Sequence, residues 1–305
     1  MDRTVRRRQR VLGRPSVGLA FGGGLPFGAA AIGVLDVFEK QGIPVDCLAG
    51  TSMGSVVGLL YAFGYTPQDL ERQFTEFFKR KRLLPVLLRD LRPTRSGLVQ
   101  GKQIIRALGG LVPESTSFEE LRIPFAVPAA DLQTGQEIVF TSGPVLPAIR
   151  ASISMPGIFQ PVAWGETYLV DGAVIAPIPV HLLDLLGADI KIPMRAVRHW
   201  PVEVRQRVAD TREGARRRTP PSGPPDLVRL VWRSLSVILQ DQFAELQLGQ
   251  YPIHLKPEIP FDYAGSPDKV GAIIELGRRE AERHVPAIRT ALSTGSRASG
   301  TAALE

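Results

Sequence analysis

The chain has 305 residues, 44% of them hydrophobic, which is enough for one large α/β domain or two small ones with a substantial core. Its formal charge of +7 suits a negatively charged partner surface, and its single cysteine excludes an internal disulfide and fits a reducing, cytoplasmic setting. No run of eighteen apolar residues is present, and the basic opening Arg3 to Arg10 lacks the apolar stretch of a secretory signal, so neither a membrane span nor an export signal is expected.

Residues 1–14 read as a basic, disordered leader. Ser16 to Phe21 then forms a short apolar strand, followed by the glycine turn Gly22-Gly23-Gly24. A helix comes next, with Ile32, Leu35 and Phe38 on one face and Asp36, Glu39 and Lys40 on the other, stopped by Gly42 and Pro44. Val45 to Ala49 is a second strand, with Cys47 as a small core side chain, and Gly54 to Phe63 is a helix too apolar to be anything but buried. This strand-helix-strand unit implies a parallel sheet, whose ligands sit at the carboxyl ends of the strands.

Thr66-Pro67-Gln68-Asp69 has the residues of a helix start: a cap, a first-turn proline and an acid that complements the dipole. The helix continues through Phe74, Phe77 and Phe78. Lys79 to Arg82 then abut the aliphatic run Leu83 to Leu88, a composition that suits either a water–lipid boundary or a surface helix pair. Phe125 to Ala130 and Glu137 to Phe140 read as strands joined through Asp131 to Gly135, with Asp131 closing the turn through its own backbone. Tyr168 to Val170 forms another strand ending at Asp171-Gly172, and Pro177 to Leu186 leads into a helix. Leu227 to Leu248 has helical spacing, Ile253 to Leu255 reads as a last strand and Val270 to Ile288 as a last helix. The expected organisation is one domain over 15–290, with mobile segments at 66–98 and 205–226 and a disordered tail over 291–305.

The chemistry resides in the glycine-rich spacing. Gly50-Thr51-Ser52-Met53-Gly54 is a G-x-S-x-G run at the end of a strand, so Ser52 would stand on a strained elbow with its hydroxyl exposed. Gly50 and Gly54 have reason to be small, because a tight elbow leaves no room for side chains there. The earlier triplet could aim N–H groups at a developing oxyanion. A nucleotide site would instead place an acidic residue at the end of the second strand, where this chain places the serine. The four histidines, His181, His199, His254 and His284, show no metal-ligand spacing, so no metal or cofactor is expected. Neither His254 nor His284 sits at an evident loop tip, where a triad would want it. The basic runs, Arg3 to Arg10 and Arg205 to Arg218, do not interleave aromatics, which argues against nucleic acid; an anionic membrane surface remains a candidate for transient contact.

With Asp131 to Gly135, Arg150-Ala151-Ser152, Pro156-Gly157-Ile158-Phe159 and Asp171-Gly172-Ala173 in order behind the elbow, the chain resembles the patatin-like phospholipases, densely from Val17 to Pro179 and more loosely to about Ala281. The resemblance implies a three-layer α/β/α fold with a mainly parallel central sheet. It makes Ser52 the nucleophile and Asp171 its base in a Ser-Asp dyad, with oxyanion donors in the loop Gly22, Gly23, Gly24 and Leu25. It also implies a phospholipid or other acyl-ester substrate and a cytoplasmic place, or one peripheral to a membrane. The loop departs from the family pattern at Leu25, where glycine is usual, and at Phe27, where arginine is. Pro26 has no N–H to donate, and Ala31 stands where relatives often carry histidine. Three readings follow: a lipid acyl hydrolase, a lipid-binding protein that keeps the fold with weakened catalysis, and an acyltransferase.

Overall fold

The computed structural model describes residues 13–24, 26–78, 90–94, 97–199, 248–260, 263 and 269–294. The leader through residue 12, Leu25, the basic and aliphatic cluster at 79–88, the segment at 205–226, the helical pattern at 227–247 and residues 295–305 lie outside the described residues.

In chain order the strands are β1 (Val17–Phe21), β2 (Cys47–Gly50), β3 (Leu91–Thr94), β4 (Gly97–Val99), β5 (Phe125–Asp131), β6 (Glu137–Phe140), β7 (Val162–Trp164), β8 (Thr167–Asp171), β9 (Ile190–Met194), β10 (Val197–His199) and β11 (Glu258–Pro260). The helices are α1 (Ala30–Lys40), α2 (Met53–Phe63), α3 (Pro67–Phe78), α4 (Lys102–Gly109), α5 (Val145–Ser152), α6 (Leu182–Leu186) and α7 (Val270–Thr294). Seven strands make one mixed sheet in the order β7-β8-β5-β2-β1-β9, with β6 also paired to β5. Strands β9, β1, β2 and β5 are parallel neighbours, whereas β6, β7 and β8 join by antiparallel pairing.

Both faces of the parallel half are buried, and the side chains divide between them with the period of two that a pleated strand imposes. Val17, Leu19, Phe21, Leu48, Phe125, Val127, Ile190 and Ile192 enter the large core shared with α1, α2, α3, α5 and α7. Ala20, Cys47, Ala49 and Ala126 point the other way, into a smaller core closed by Leu182, Leu183 and Leu248. This is the three-layer arrangement. Small side chains line the second face, where α6 is only five residues long.

Helices α1 and α7 cross with their backbones touching: a Cβ on Gly33 would lie 2.0 Å from the Ile274 carbonyl oxygen, and one on Gly277 would lie 2.0 Å from that of Ala30. Beside this crossing Asp36 is buried, not solvent-facing as helical periodicity predicts. Its carboxylate accepts from Arg278 Nε at 2.6 Å, Lys40 Nζ at 2.8 Å and Gln68 Nε2 at 2.8 Å. Burial alone would make the carboxyl a weaker acid, and the bonds from Lys40 and Arg278 override that and hold it below its ordinary range.

Helix α3 starts as the sequence predicts, with Thr66 Oγ1 donating to Asp69 Oδ2 at 2.7 Å while the Asp69 N–H donates back to Thr66 Oγ1 at 3.2 Å. It buries Leu70, Phe74 and Phe78, so residues 67–78 are a packed helix and not part of a mobile 66–98 segment. Two boundaries move as well. The strand expected at Ile253 to Leu255 forms at Glu258–Pro260, with Leu255 making only a bridge to Met194. The last helix runs to Thr294 and takes 291–294 out of the expected tail, because Ile288 stays fully buried and anchors the final turns.

Candidate functional site

Three strand ends of the sheet converge. The C-terminal end of β1 leads into Gly22-Gly23-Gly24, that of β2 into Ser52, and that of β8 into Asp171. Register explains the convergence. Leu48 is opposite Phe125 and Ala49 opposite Ala126, so carrying that pairing forward brings Ser52 level with Ala129. On the same edge of β5, beyond the point where β2 leaves it, Ala129 is paired with Asp171, while β6 takes the opposite edge. Strand β5 therefore sets the hydroxyl and the carboxyl at one height of the sheet, although 118 residues separate them along the chain.

Ser52 is the only non-glycine residue with positive φ among the described residues, at φ 53° and ψ −123°. Such a backbone costs on the order of 1–3 kcal/mol and persists only where the surroundings fix it. Here they do. The Ser52 N–H donates to Ser152 Oγ at 3.1 Å, and the Ser52 carbonyl accepts from Ser55 Oγ at 2.6 Å and Ser55 N at 2.9 Å. Thr51 Oγ1 donates to the Ala176 carbonyl at 2.8 Å, tying the elbow to the loop behind Asp171. The two flanking glycines are obligatory, as the motif predicts: a Cβ on Gly50 would lie 2.5 Å from the Gly54 carbonyl oxygen, and one on Gly54 would lie 2.4 Å from that of Phe21.

Asp171 is almost wholly buried. Its Oδ1 accepts from the Ala173 N–H at 2.8 Å, and its own N–H donates to the Ser154 carbonyl at 3.0 Å. Burial pushes its carboxyl up to about 7, opposed in part by hydrogen bonding from Ser52 and from the Ala173 N–H. Oδ2 is sealed from solvent with no partner at full hydrogen-bond geometry. The hydrogen-bonding influence of Ser52 on this carboxyl makes the two side chains neighbours.

The glycine triplet divides in two. The Gly22 N–H donates to the Met194 carbonyl at 3.0 Å, so it belongs to the sheet and is unavailable to an oxyanion, contrary to the expectation for that residue. Gly23 lies against Ser52: a Cβ there would be 2.8 Å from Ser52 Cβ and 3.5 Å from Ser52 Oγ. Among the described residues, the N–H groups of Gly23, Gly24 and Met53 have no acceptor. Met53 heads α2, and its orphan N–H was overlooked in the sequence although the elbow motif places it directly after Ser52. Leu25 lies outside the described residues. Phe27 is buried in the large core at the start of a 3₁₀ turn, so this departure from the family pattern is a packing residue.

Three residues set aside in the sequence stay so. Asp131 Oδ1 accepts from Gln133 N at 2.8 Å and Thr134 N at 3.3 Å, closing its own turn. His254 and His284 each bond through Nδ1 to a carbonyl three or four residues earlier, Tyr251 and Glu280 respectively, both at 2.9 Å. No cluster of metal-ligating side chains occurs among the described residues, nor any helix long and apolar enough to cross a membrane. Arg150 and Ser152 entered the sequence reading only as part of the motif Arg150-Ala151-Ser152, with no role given to either, and Ser55 not at all, since nothing in their spacing reveals which backbone groups they would meet.

The family pattern described as Patatin-like phospholipase matches residues 19–184 of this chain. An uncharacterized NTE family protein of Mycobacterium bovis is 34% identical over 185 residues, covering 61% of this chain and 50% of the relative. A lysophospholipase NTE1 of the yeast Debaryomyces hansenii is 31% identical over 182 residues, covering 60% of this chain and 12% of the relative. The chain thus spans about half the length of the first relative and a small part of the second. Among solved structures, VipD of Legionella pneumophila aligns over 90% of this chain and 67% of its own, at 11% identity and a TM-score of 0.45.

Proposed function

The chain belongs to the patatin-like phospholipase family, and from that premise we propose that it is a serine lipid acyl hydrolase working through Ser52 and Asp171. The observation that carries this reading is a serine on a strained, clamped elbow beside a buried carboxyl pushed up to about 7. An ordinary carboxylate, with a value near roughly 3.9, is a feeble base; burial brings this one close to neutral pH, where a general base is most effective.

Ionised Asp171 accepts the Ser52 proton as Oγ attacks the ester carbonyl carbon. The tetrahedral oxyanion receives hydrogen bonds from the N–H groups of Gly23 and Gly24, with that of Met53 as a further donor. Collapse expels the alcohol, which takes the proton back from Asp171. Water, deprotonated by the same carboxylate, then cleaves the acyl-enzyme and frees Ser52. No metal or cofactor enters this sequence. The substrates are carboxyl esters of phospholipids or related acyl lipids.

The lipid-binding alternative drew on Leu25 and Phe27 as an apolar replacement of the oxyanion loop. The inward packing of Phe27 removes half of that argument and favours hydrolysis. The buried single cysteine and the charge of +7 support a cytoplasmic setting with transient contact to anionic lipid. The test is hydrolysis of lysophospholipid and of p-nitrophenyl butyrate by the purified chain. Turnover by the wild type and its loss in Ser52→Ala are expected; a folded wild type without turnover, or undiminished activity in the variant, would overturn the reading.

A further inference from the structure

The elbow holds a backbone conformation that serine alone would not adopt, and the groups that hold it are side chains outside the G-x-S-x-G run as well as within it. On the carbonyl side the clamp is Ser55, one turn into α2. On the amide side it is Ser152, the last residue of α5, a hundred residues away in sequence and fully buried. Ser152 belongs to a short segment that reaches both reacting residues. Its hydroxyl accepts from the Ser52 N–H, and two residues later the Ser154 carbonyl accepts from the Asp171 N–H at 3.0 Å. The segment is itself fastened. Arg150 donates to Ser154 Oγ at 2.5 Å, to the Gln160 carbonyl at 2.9 Å and to the Gln100 carbonyl, while Ser154 Oγ donates back to the Arg150 carbonyl at 2.7 Å.

We infer that Ser152 is a positioning residue for acyl transfer: its hydroxyl fixes the Ser52 amide so that the nucleophile keeps its height and direction relative to Asp171. This inference rests on the proposed hydrolase reading. The physical reason is the geometry of a dyad without a third member. With no imidazole to span the gap, the hydroxyl must meet the carboxylate directly, and a displacement of about 1 Å is enough to cost on the order of 100-fold in rate. Residues 152–154 fix that separation, because the last helical residue and the turn directly behind it bond to the backbone of both partners. Deleting the Ser152 hydroxyl frees the Ser52 N–H and lets φ relax toward ordinary values, which swings Oγ away from Asp171. Substrate binding needs none of these bonds, so the loss falls on kcat.

The experiment follows Ser52 labelling by a fluorophosphonate, together with kcat and KM for p-nitrophenyl butyrate, in wild type, Ser152→Ala, Ser152→Cys and Ser152→Thr. Alanine removes the acceptor. Cysteine keeps nearly the same volume with a weak acceptor, and threonine keeps the oxygen. Labelling rate and kcat are expected to fall tenfold or more in the alanine and cysteine variants with KM within twofold, and to return to within threefold of wild type in the threonine variant. If alanine prevents folding, the cysteine and threonine pair decides the matter. Ile288→Ala, in the distant half of α7, serves as an equally destabilised control that keeps wild-type rates. Folded alanine or cysteine variants labelled as fast as wild type, or a control that loses activity in step with them, would overturn the role of Ser152 alone. A wild type that the probe does not label would overturn the hydrolase reading and this inference together.

Discussion

Asp171→Asn tests the electrostatic premise without reference to any substrate. The carboxyl is raised from 3.8 to about 7, a difference of about 3 pK units, and at 1.36 kcal/mol per unit this sets a ceiling of about 4 kcal/mol on the cost of holding it ionised in the fold. A raised folded-state value means that the native protein binds more protons than the unfolded chain between the two values. The residue's contribution is therefore full below about 3.8, is lost progressively as pH climbs to about 7, and stays constant above. Between roughly pH 5 and pH 8.5 the wild type should lose about 3 kcal/mol that the asparagine variant keeps. At about 2 °C per kcal/mol that is a relative gain of about 6 °C in Tm for the variant. The amide retains an acceptor for the Ala173 N–H, and its NH₂ remains unpaired at both pH values, so the pH difference isolates the charge. Thermal or urea denaturation of both proteins at the two pH values measures it. Parallel pH dependence in wild type and variant would refute the claim that a buried, ionisable Asp171 destabilises the fold at neutral pH.

The same raised value predicts that ester hydrolysis climbs with pH through about 7 and falls below it, because the base must be ionised; a profile whose rise sits near roughly 4 would contradict this. Gly54→Ala, whose Cβ would lie 2.4 Å from a backbone oxygen, should cost about 3 kcal/mol or more, whereas Gly271→Ala meets nothing within 4 Å and should be neutral or stabilising by up to about 1 kcal/mol, as chemical denaturation would show. Phe27→Arg, which restores the usual family residue, should lower Tm by about 6–10 °C and fail to raise turnover, because it buries an unpaired charge in the core; on the order of 3–5 kcal/mol is at stake. Arg278→Ala leaves Asp36 with a buried carboxylate short of its closest donor, and about 3–5 kcal/mol of lost stability is expected from urea titration.

The first β-α-β-α stretch was legible because each signal there is local. Apolar spacing gives the elements, and glycine and serine at a strand end give the elbow. The convergence of Asp171 on Ser52 was not derivable from periodicity, since it depends on β8 returning antiparallel beside β5, and only the family resemblance supplied it. Asp36 was misread for a related reason. Its position on α1 faces water in a lone helix, and the partner that makes burial tolerable, Arg278, comes 242 residues later. Gly22 illustrates a finer limit. Three consecutive glycines look equivalent in sequence, yet the first is the last rung of the sheet and only the next two keep their N–H groups free among the described residues. Ser152 carried no signal of its own, because a helix-terminal serine has many uses and the amide it serves lies on another strand.

The central claim is that the Ser52 hydroxyl is made nucleophilic by Asp171. Intact-mass measurement after exposure to a fluorophosphonate, with the adduct mapped by peptide sequencing, tests it most directly. One adduct per chain on Ser52 in the wild type, with labelling slowed at least a hundredfold in folded Asp171→Asn, is the predicted result. Equal labelling of wild type and the asparagine variant, or an adduct on a different serine, would contradict it.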